Sequence, residues 1–271
     1  ADLVLCSPPY ADARTYGMGC NWTDADYAAL GDAVFAALKP GGHALINVDA
    51  PVREWRKGFG TERGFHPWRL MLDWAERVGF RVPDRLAFGR MGQVGRPPGR
   101  FRNDWEPLLW FQKPGGETYH DPDAIALPSV YGVVKSQRRE SADKHNVHRG
   151  ERGGPILKSV GAVLPGTLWN YGASGACQTG APDIEAENHP ARWPYKLAED
   201  IVRCFCPPDG LAVDPFVGAG TSCAAAVAHG RRFHGGDLGV RQFDPAKPHL
   251  DAVPWVQVAD RVMVERLRQQ R

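Results

Sequence analysis

Two segments of this 271-residue chain hold residue types suited to chemistry, and they lie at opposite ends of it. The first is Ser7-Pro8-Pro9-Tyr10, which follows the apolar run Leu3 to Cys6. Two prolines exclude continuation as helix or strand, so these residues form a stiff loop at a strand's end. Such a loop holds a hydroxyl, backbone carbonyls and an aromatic face in one geometry. Its oxygens can accept the hydrogens of an exocyclic amine on a planar group while Tyr10 stacks on that group's face. Taken alone, the segment is also compatible with a Pro-Pro turn and a packed tyrosine.

The second segment is Leu211 to Gly230. Leu211-Ala212-Val213 reads as a strand entering a core, and Asp214-Pro215-Phe216 ends it. Gly218-Ala219-Gly220 lets the backbone turn tightly and approach a ligand. Thr221 and Ser222 are the expected caps of an Ala-rich helix that stops at Gly230. Strand, glycine turn and helix N-terminus make a nucleotide-type site at the carboxyl edge of a parallel sheet. Phe233 to Asp237 reads as a further strand ending in a carboxylate placed to take both hydroxyls of a ribose. A glycine pair without a third glycine is also what an ordinary αβ turn uses, so this segment alone leaves both readings open.

These loops need a sheet to hold them, and the chain supplies its elements in order. Thr23 to Leu38 has Thr23 as N-cap and Tyr27, Leu30, Val34, Phe35 and Leu38 at helical spacing. Lys39-Pro40-Gly41-Gly42 stops that helix, and His43 to Val48 is the next strand, completing a βαβ crossover. A helix over Trp68 to Val78, strands over Phe80 to Phe88 and Trp105 to Phe111, and a helix from Pro194 to Phe205 follow. A closing amphipathic helix is expected over Val256 to Leu267. From Glu117 to Ala186 periodicity disappears, and Gly, Pro, His, Arg and Ser dominate. A stretch of that length is too long for one loop and reads as a small irregular insertion. The organisation is therefore 1–116, a catalytic half; 117–186, an insertion; and 187–271, a cofactor-binding half.

Composition bounds the rest. Hydrophobic content of 43% and charged content of 24% are those of a soluble globular protein. No apolar run approaches membrane-span length and no signal peptide is recognisable, so the expected setting is cytoplasmic. The chain begins inside a strand-like run without Met, and native sequence is expected to precede it. Six scattered cysteines without a CxxC pair suit reduced thiols. The net charge is only +2, but two Gly/Pro-rich segments concentrate the basic residues: Arg81 to Lys113, with Arg96 and Arg100, and Tyr131 to Gly161, with Arg138, Arg139 and Arg149. A phosphate backbone is the partner such segments suit. Asp143, His145, His148 and Cys177 have no recognised zinc-ligand spacing, so no metal is expected.

Ser7-Pro8-Pro9-Tyr10 and Asp214 to Thr221 together resemble the catalytic and cofactor motifs of the amino-DNA methyltransferases, which methylate the exocyclic amine of cytosine or adenine using S-adenosylmethionine. With the catalytic motif first and the cofactor motif last, the order is similar to the circularly permuted β class. Asn188-His189-Pro190-Ala191 looks like that class's other cofactor motif, and Leu38 to Gly42 like its helix-to-strand turn. The resemblance spans essentially the whole chain.

It implies a Rossmann-like α/β fold: a seven-stranded sheet, mostly parallel with one antiparallel strand, helices on both faces, and a target-recognition domain in the irregular middle. Carried over by position, Asp214, Pro215, Phe216, Gly218, Gly220 and Thr221 belong to the cofactor loop. Asp237 holds the ribose and His189 lies near the carboxylate end. Ser7, Pro8 and Pro9 serve the target amine and Tyr10 stacks on the flipped base. Implied partners are double-stranded DNA, a second copy of the chain and a cognate restriction endonuclease, in a prokaryotic or phage setting.

An aromatic amine is a poor nucleophile because its lone pair is delocalised. Accepting its hydrogens draws nitrogen toward tetrahedral geometry, and positioning supplies most of the rate. A 5-methylcytosine mechanism needs a nucleophilic cysteine after a proline, and no Pro-Cys dipeptide occurs. Serine at the first position of the catalytic motif resembles the cytosine-N4 branch, with adenine-N6 the alternative. A catalytically inactive DNA-binding module need not keep both motifs, and a small-molecule or RNA methyltransferase does not need the basic insertion.

Overall fold

Leu3–Cys6 form strand β1, and all four residues are buried. A continuous apolar run of this kind suits a parallel strand covered on both faces. The computed structural model describes residues 1–9, 22–50, 52–56, 60–89, 99, 101, 103–128, 162–170, 194–218 and 220–236. In chain order the elements are α1 (Asp24–Ala37), β2 (His43–Asn47), β3 (Val52–Arg56), β4 (Gly60–Arg63), α2 (His66–Asp73), β5 (Arg85–Gly89) and β6 (Trp105–Gln112). Then come β7 (Leu127–Pro128), β8 (Ala162–Val163), β9 (Leu168–Asn170), α3 (Tyr195–Phe205), β10 (Leu211–Asp214), α4 (Thr221–Ala228) and β11 (Arg232–Gly235).

Seven strands form one sheet in the order β11-β10-β1-β2-β6-β5-β9. Only β6 runs against the others, antiparallel to β2 and to β5. This is the expected topology, with its single antiparallel strand. Alternation along β1 divides the core in two. Leu3 and Leu5 join Leu197, Ile201 and Phe205 of α3 and Ala225 and Ala226 of α4. Val4 and Cys6 face the other way, onto Tyr27, Leu30 and Val34 of α1 and Leu70 of α2. Because β1 lies between β10 and β2, the two ends of the chain share one sheet and one pair of cores.

α1 begins as its sequence dictates. The Thr23 hydroxyl accepts from the Asp26 amide, and the Asp26 carboxylate accepts from the Thr23 amide at 2.8 Å, a reciprocal capping box. The turn after α1 requires glycine at 41: its φ is +83°, and a Cβ there would lie 2.0 Å from the Glu117 carbonyl oxygen. The second helix starts at His66, two residues before the expected Trp68, because Pro67 suits its first turn. It ends in a π-helical turn, Trp74–Val78. The strand expected over Phe80 to Phe88 is narrower. Arg81 makes an isolated bridge to Gln112, and β5 starts only at Arg85, beyond Pro83.

The segment assigned to the insertion reaches into the sheet. β9 pairs in parallel with β5 through Ala87↔Leu168 to Gly89↔Asn170, forming the sheet's edge. Its other described strands, β7 and β8, pair only with each other. The Asp121 amide donates to the Cys204 carbonyl at 2.9 Å, so the start of the segment is joined to α3. The expected closing helix over Val256 to Leu267 lies outside the described residues.

Candidate active site

The parallel register of β1 and β10 pairs Leu3 with Ala212 and Val4 with Val213. The Ser-Pro-Pro loop and the Asp-Pro-Phe loop, far apart in sequence, therefore leave adjacent strands at the same carboxyl edge. The chain moves from β1 toward β2 on one side and from β10 toward β11 on the other, so strand order reverses here. A crevice at such a reversal is where open α/β sheets bind ligands.

The glycine loop is held by its own bonds. Asp214 is buried; its Oδ1 accepts the Phe216 amide at 2.8 Å and its Oδ2 accepts the Ser222 hydroxyl. Val217 donates to Gly236 O and Gly236 to Asp214 O, both at 3.0 Å, which lashes the loop to the end of β11. Gly218 and Gly220 have φ of +51° and +82°, open to glycine and strained for a β-branched residue. The expected capping of α4 is corrected. Gly220 occupies the N-cap without a side-chain bond, and Thr221 begins the helix. Ser222 does not cap because its hydroxyl goes to the buried Asp214 carboxylate instead.

On the other loop Ser7 and Pro9 are half-buried and Pro8 is buried. The Tyr27 hydroxyl donates to the Pro9 carbonyl. Trp22 lies edge-on to Tyr27, with centroids 5.1 Å apart, and edge-on to Phe216 at 5.2 Å. One aromatic pair thus touches both loops. Cys6, just before Ser7, is fully buried, and burial with the Asp214 charge pushes its thiol well above the usual range. Burial also pushes Cys223 up to about 12. Neither thiol is available as a nucleophilic thiolate.

Next to this edge, over β2 and β6, lies a shallow, open recess lined by Asp49, Arg63, Trp68, Asn103, Trp105 and Pro107 among others. Asp49 accepts from the Ala50 amide at 2.7 Å, from Asn103 Nδ2 at 3.2 Å and from the Arg63 guanidinium. Sequence reasoning missed this node. Its one legible signal is that Asp49 stands just past the carboxyl end of a strand, as Ser7 does.

The structure brings Ser7, Pro8 and Pro9 to the same edge as Asp214, Pro215, Phe216, Gly218, Gly220 and Thr221. Tyr10, His189, Asp237, Arg96, Arg100, Arg138, Arg139 and Arg149 lie outside the described residues. The loop fits a nucleoside-type ligand on two observations. The positive-φ glycines leave the crevice free of Cβ atoms at those turns, and the loop is fixed by the Asp214 and Gly236 bonds before any ligand arrives. Among the described residues no cluster of His, Cys, Asp or Glu could hold a metal ion, and no helix is long and apolar enough to cross a membrane.

The sequence profile of a DNA methylase family matches residues 1–247. Type II methyltransferase M.ScaI of Streptomyces caespitosus is 28% identical over 260 residues, covering 93% of this chain and 75% of that protein. DNA adenine methyltransferase YhdJ of Escherichia coli is 30% identical over 192 residues, covering 67% of this chain and 58% of that protein. Among solved structures, PvuII DNA methyltransferase (cytosine-N4-specific) superposes with a TM-score of 0.56 at 20% identity, covering 92% of this chain and 82% of that one. That identity speaks for the fold alone.

Proposed function

The chain belongs to the N6/N4 DNA methylase family, and from that premise we propose that it methylates N4 of cytosine in double-stranded DNA with S-adenosylmethionine as donor. The observation that carries this reading is the adjacency of the Ser-Pro-Pro loop and the glycine loop at the carboxyl ends of neighbouring parallel strands. A group bound on one loop is then within reach of a group bound on the other.

In this reading Asp214, Pro215, Phe216, Gly218, Gly220 and Thr221 form the cofactor loop, with His189 and Asp237 completing it. S-adenosylmethionine supplies an electrophilic methyl group. The Ser7 hydroxyl and the Pro8 carbonyl accept the hydrogens of the target amine, holding its lone pair out of the ring's conjugation. Tyr10 stacks on the extruded base. Arg96, Arg100, Arg138, Arg139 and Arg149 contact phosphates, which a steep fall of DNA affinity with salt would check. The M.ScaI relationship supports action within a type II restriction-modification pair, with a cognate endonuclease as partner.

Adenine-N6 is the second reading, and the YhdJ relationship favours it. Unmodified genomic DNA incubated with the protein and donor, then digested for mass spectrometry, separates the two. N4-methylcytosine is the expected product, N6-methyladenine moves the assignment to the second reading, and the absence of either overturns both. In the same assay Ser7→Ala should lower turnover more than DNA affinity, because the lost acceptor matters most as nitrogen becomes tetrahedral. A Ser7→Ala protein with native turnover would remove Ser7 from the mechanism.

A further inference from the structure

The Ser-Pro-Pro segment has an unusual weakness as a catalytic platform. Pro8 and Pro9 have no amide hydrogen, so the loop cannot anchor itself by donating at those two positions. Its proline rings limit φ, while the peptide plane leaving Pro9 still turns about ψ. That plane carries the Pro9 carbonyl and the amide of residue 10 together. Whatever holds the carbonyl therefore sets the direction in which residue 10 departs.

Tyr27 holds it. Its hydroxyl donates to Pro9 O from the first turn of α1, and the residue is 2% exposed. The ring is itself immobilised. Trp22 lies edge-on at 5.1 Å, the His66 ring is 4.1 Å away, and the Trp74 indole N–H donates to the Tyr27 carbonyl at 3.0 Å. That last bond needs the close approach at Gly31, where a Cβ would lie 2.5 Å from the Trp74 indole nitrogen. A phenylalanine would fill the same volume in this cluster, so the hydroxyl's bond to Pro9 is separable from core packing.

We infer that Tyr27 is a positioning residue for the methyl transfer, fixing the Pro9 carbonyl and through it the aim of the catalytic loop. This rests on the methyltransferase reading above. Tyr27→Phe should lower kcat about tenfold, the effect of one lost hydrogen bond felt at the transition state, with KM for DNA and donor affinity within about twofold of native. Its thermal midpoint should stay close to that of the native protein. Replacing Tyr27 with 4-aminophenylalanine, which keeps a donor at the same place, should restore kcat. Native kcat in Tyr27→Phe overturns the inference. So does a parallel loss of donor affinity, DNA affinity and thermal midpoint, or failure to fold, since each marks the hydroxyl as merely structural. Native protein that methylates no DNA would instead sink the functional reading, before any variant is compared.

Discussion

At the amino edge of the central sheet, the Asp2 carboxylate accepts the Leu211 amide at 2.8 Å and pairs with Lys39. The Lys113 ammonium donates to the Phe35 and Leu38 carbonyls at 2.7 and 2.8 Å, closing the end of α1. His43 is enclosed there too: the Trp110 indole N–H donates to its Nδ1 at 3.1 Å, and its Nε2 lies 2.8 Å from Thr118 Oγ1. The carboxyl edge of the same strands is finished differently. Phe65 is 70% exposed, Phe101 96% and Trp105 41%, around a recess and two loops shaped by proline and glycine. Polar groups at the first edge close the ends of strands and helix, whereas the second exposes large aromatic side chains beside two loops shaped by proline and glycine. Substitutions at the amino edge should therefore move stability, and those at the carboxyl edge should move binding and turnover.

Gly218→Val is the strongest test of that contrast. A β-branched residue at a φ of +51° strains the loop, and donor affinity should fall about a hundredfold by calorimetry while the unliganded fold persists. Native affinity in this variant would remove the glycine loop from the donor site.

The next effect belongs to the amino edge and to pH. Burial lowers the His43 pKa to about 4. Because the Trp110 N–H points at Nδ1, His43 is the tautomer with its hydrogen on Nε2, and a second proton would meet a donor. Above pH 6.5 neither the folded nor the unfolded chain protonates this ring. As pH falls from 6.5 toward 4 the unfolded chain takes up a proton that the folded one refuses, so stability falls across that window and levels below it. The loss is on the order of 3 kcal/mol. Urea denaturation of native protein and His43→Gln at several pH values checks it; equal slopes in the two would show that His43 is not the titrating group.

Lys39→Met should do least. The Lys39–Asp2 pair has a half-exposed ammonium, and such pairs contribute no more than about 1 kcal/mol. Its thermal midpoint should drop slightly, and less in high salt. A drop that salt does not diminish would mean that the lysine acts through packing rather than charge.

Much of this architecture is legible in the residues themselves. β1, β2 and β10 are short apolar runs, α1 carries its own capping box, and both loops announce themselves because proline and glycine restrict or free φ locally. The mixed topology followed only from the resemblance, since nothing in an apolar run states which neighbour it pairs with. Local signals also misled where a tertiary partner competed for them. Thr221 and Ser222 have the chemistry of caps, yet Ser222 is drawn to Asp214 and Gly220 takes the cap position. β9 has too little period to be seen as a strand, and it exists because the edge of β5 offers it a ladder.

What the sequence determined is the inventory: a serine on a proline-stiffened loop, a glycine turn before a helix, and the apolar faces that bury both. Each depends on conformational limits acting within a few residues. Tertiary structure decided adjacency: the strand that leads into Ser7 beside the strand that ends at Asp214, Tyr27 on Pro9, Arg63 and Asn103 on Asp49. These contacts join residues whose separation in the chain carries no signal. They are selected only when two cores must close on both faces of one sheet at once.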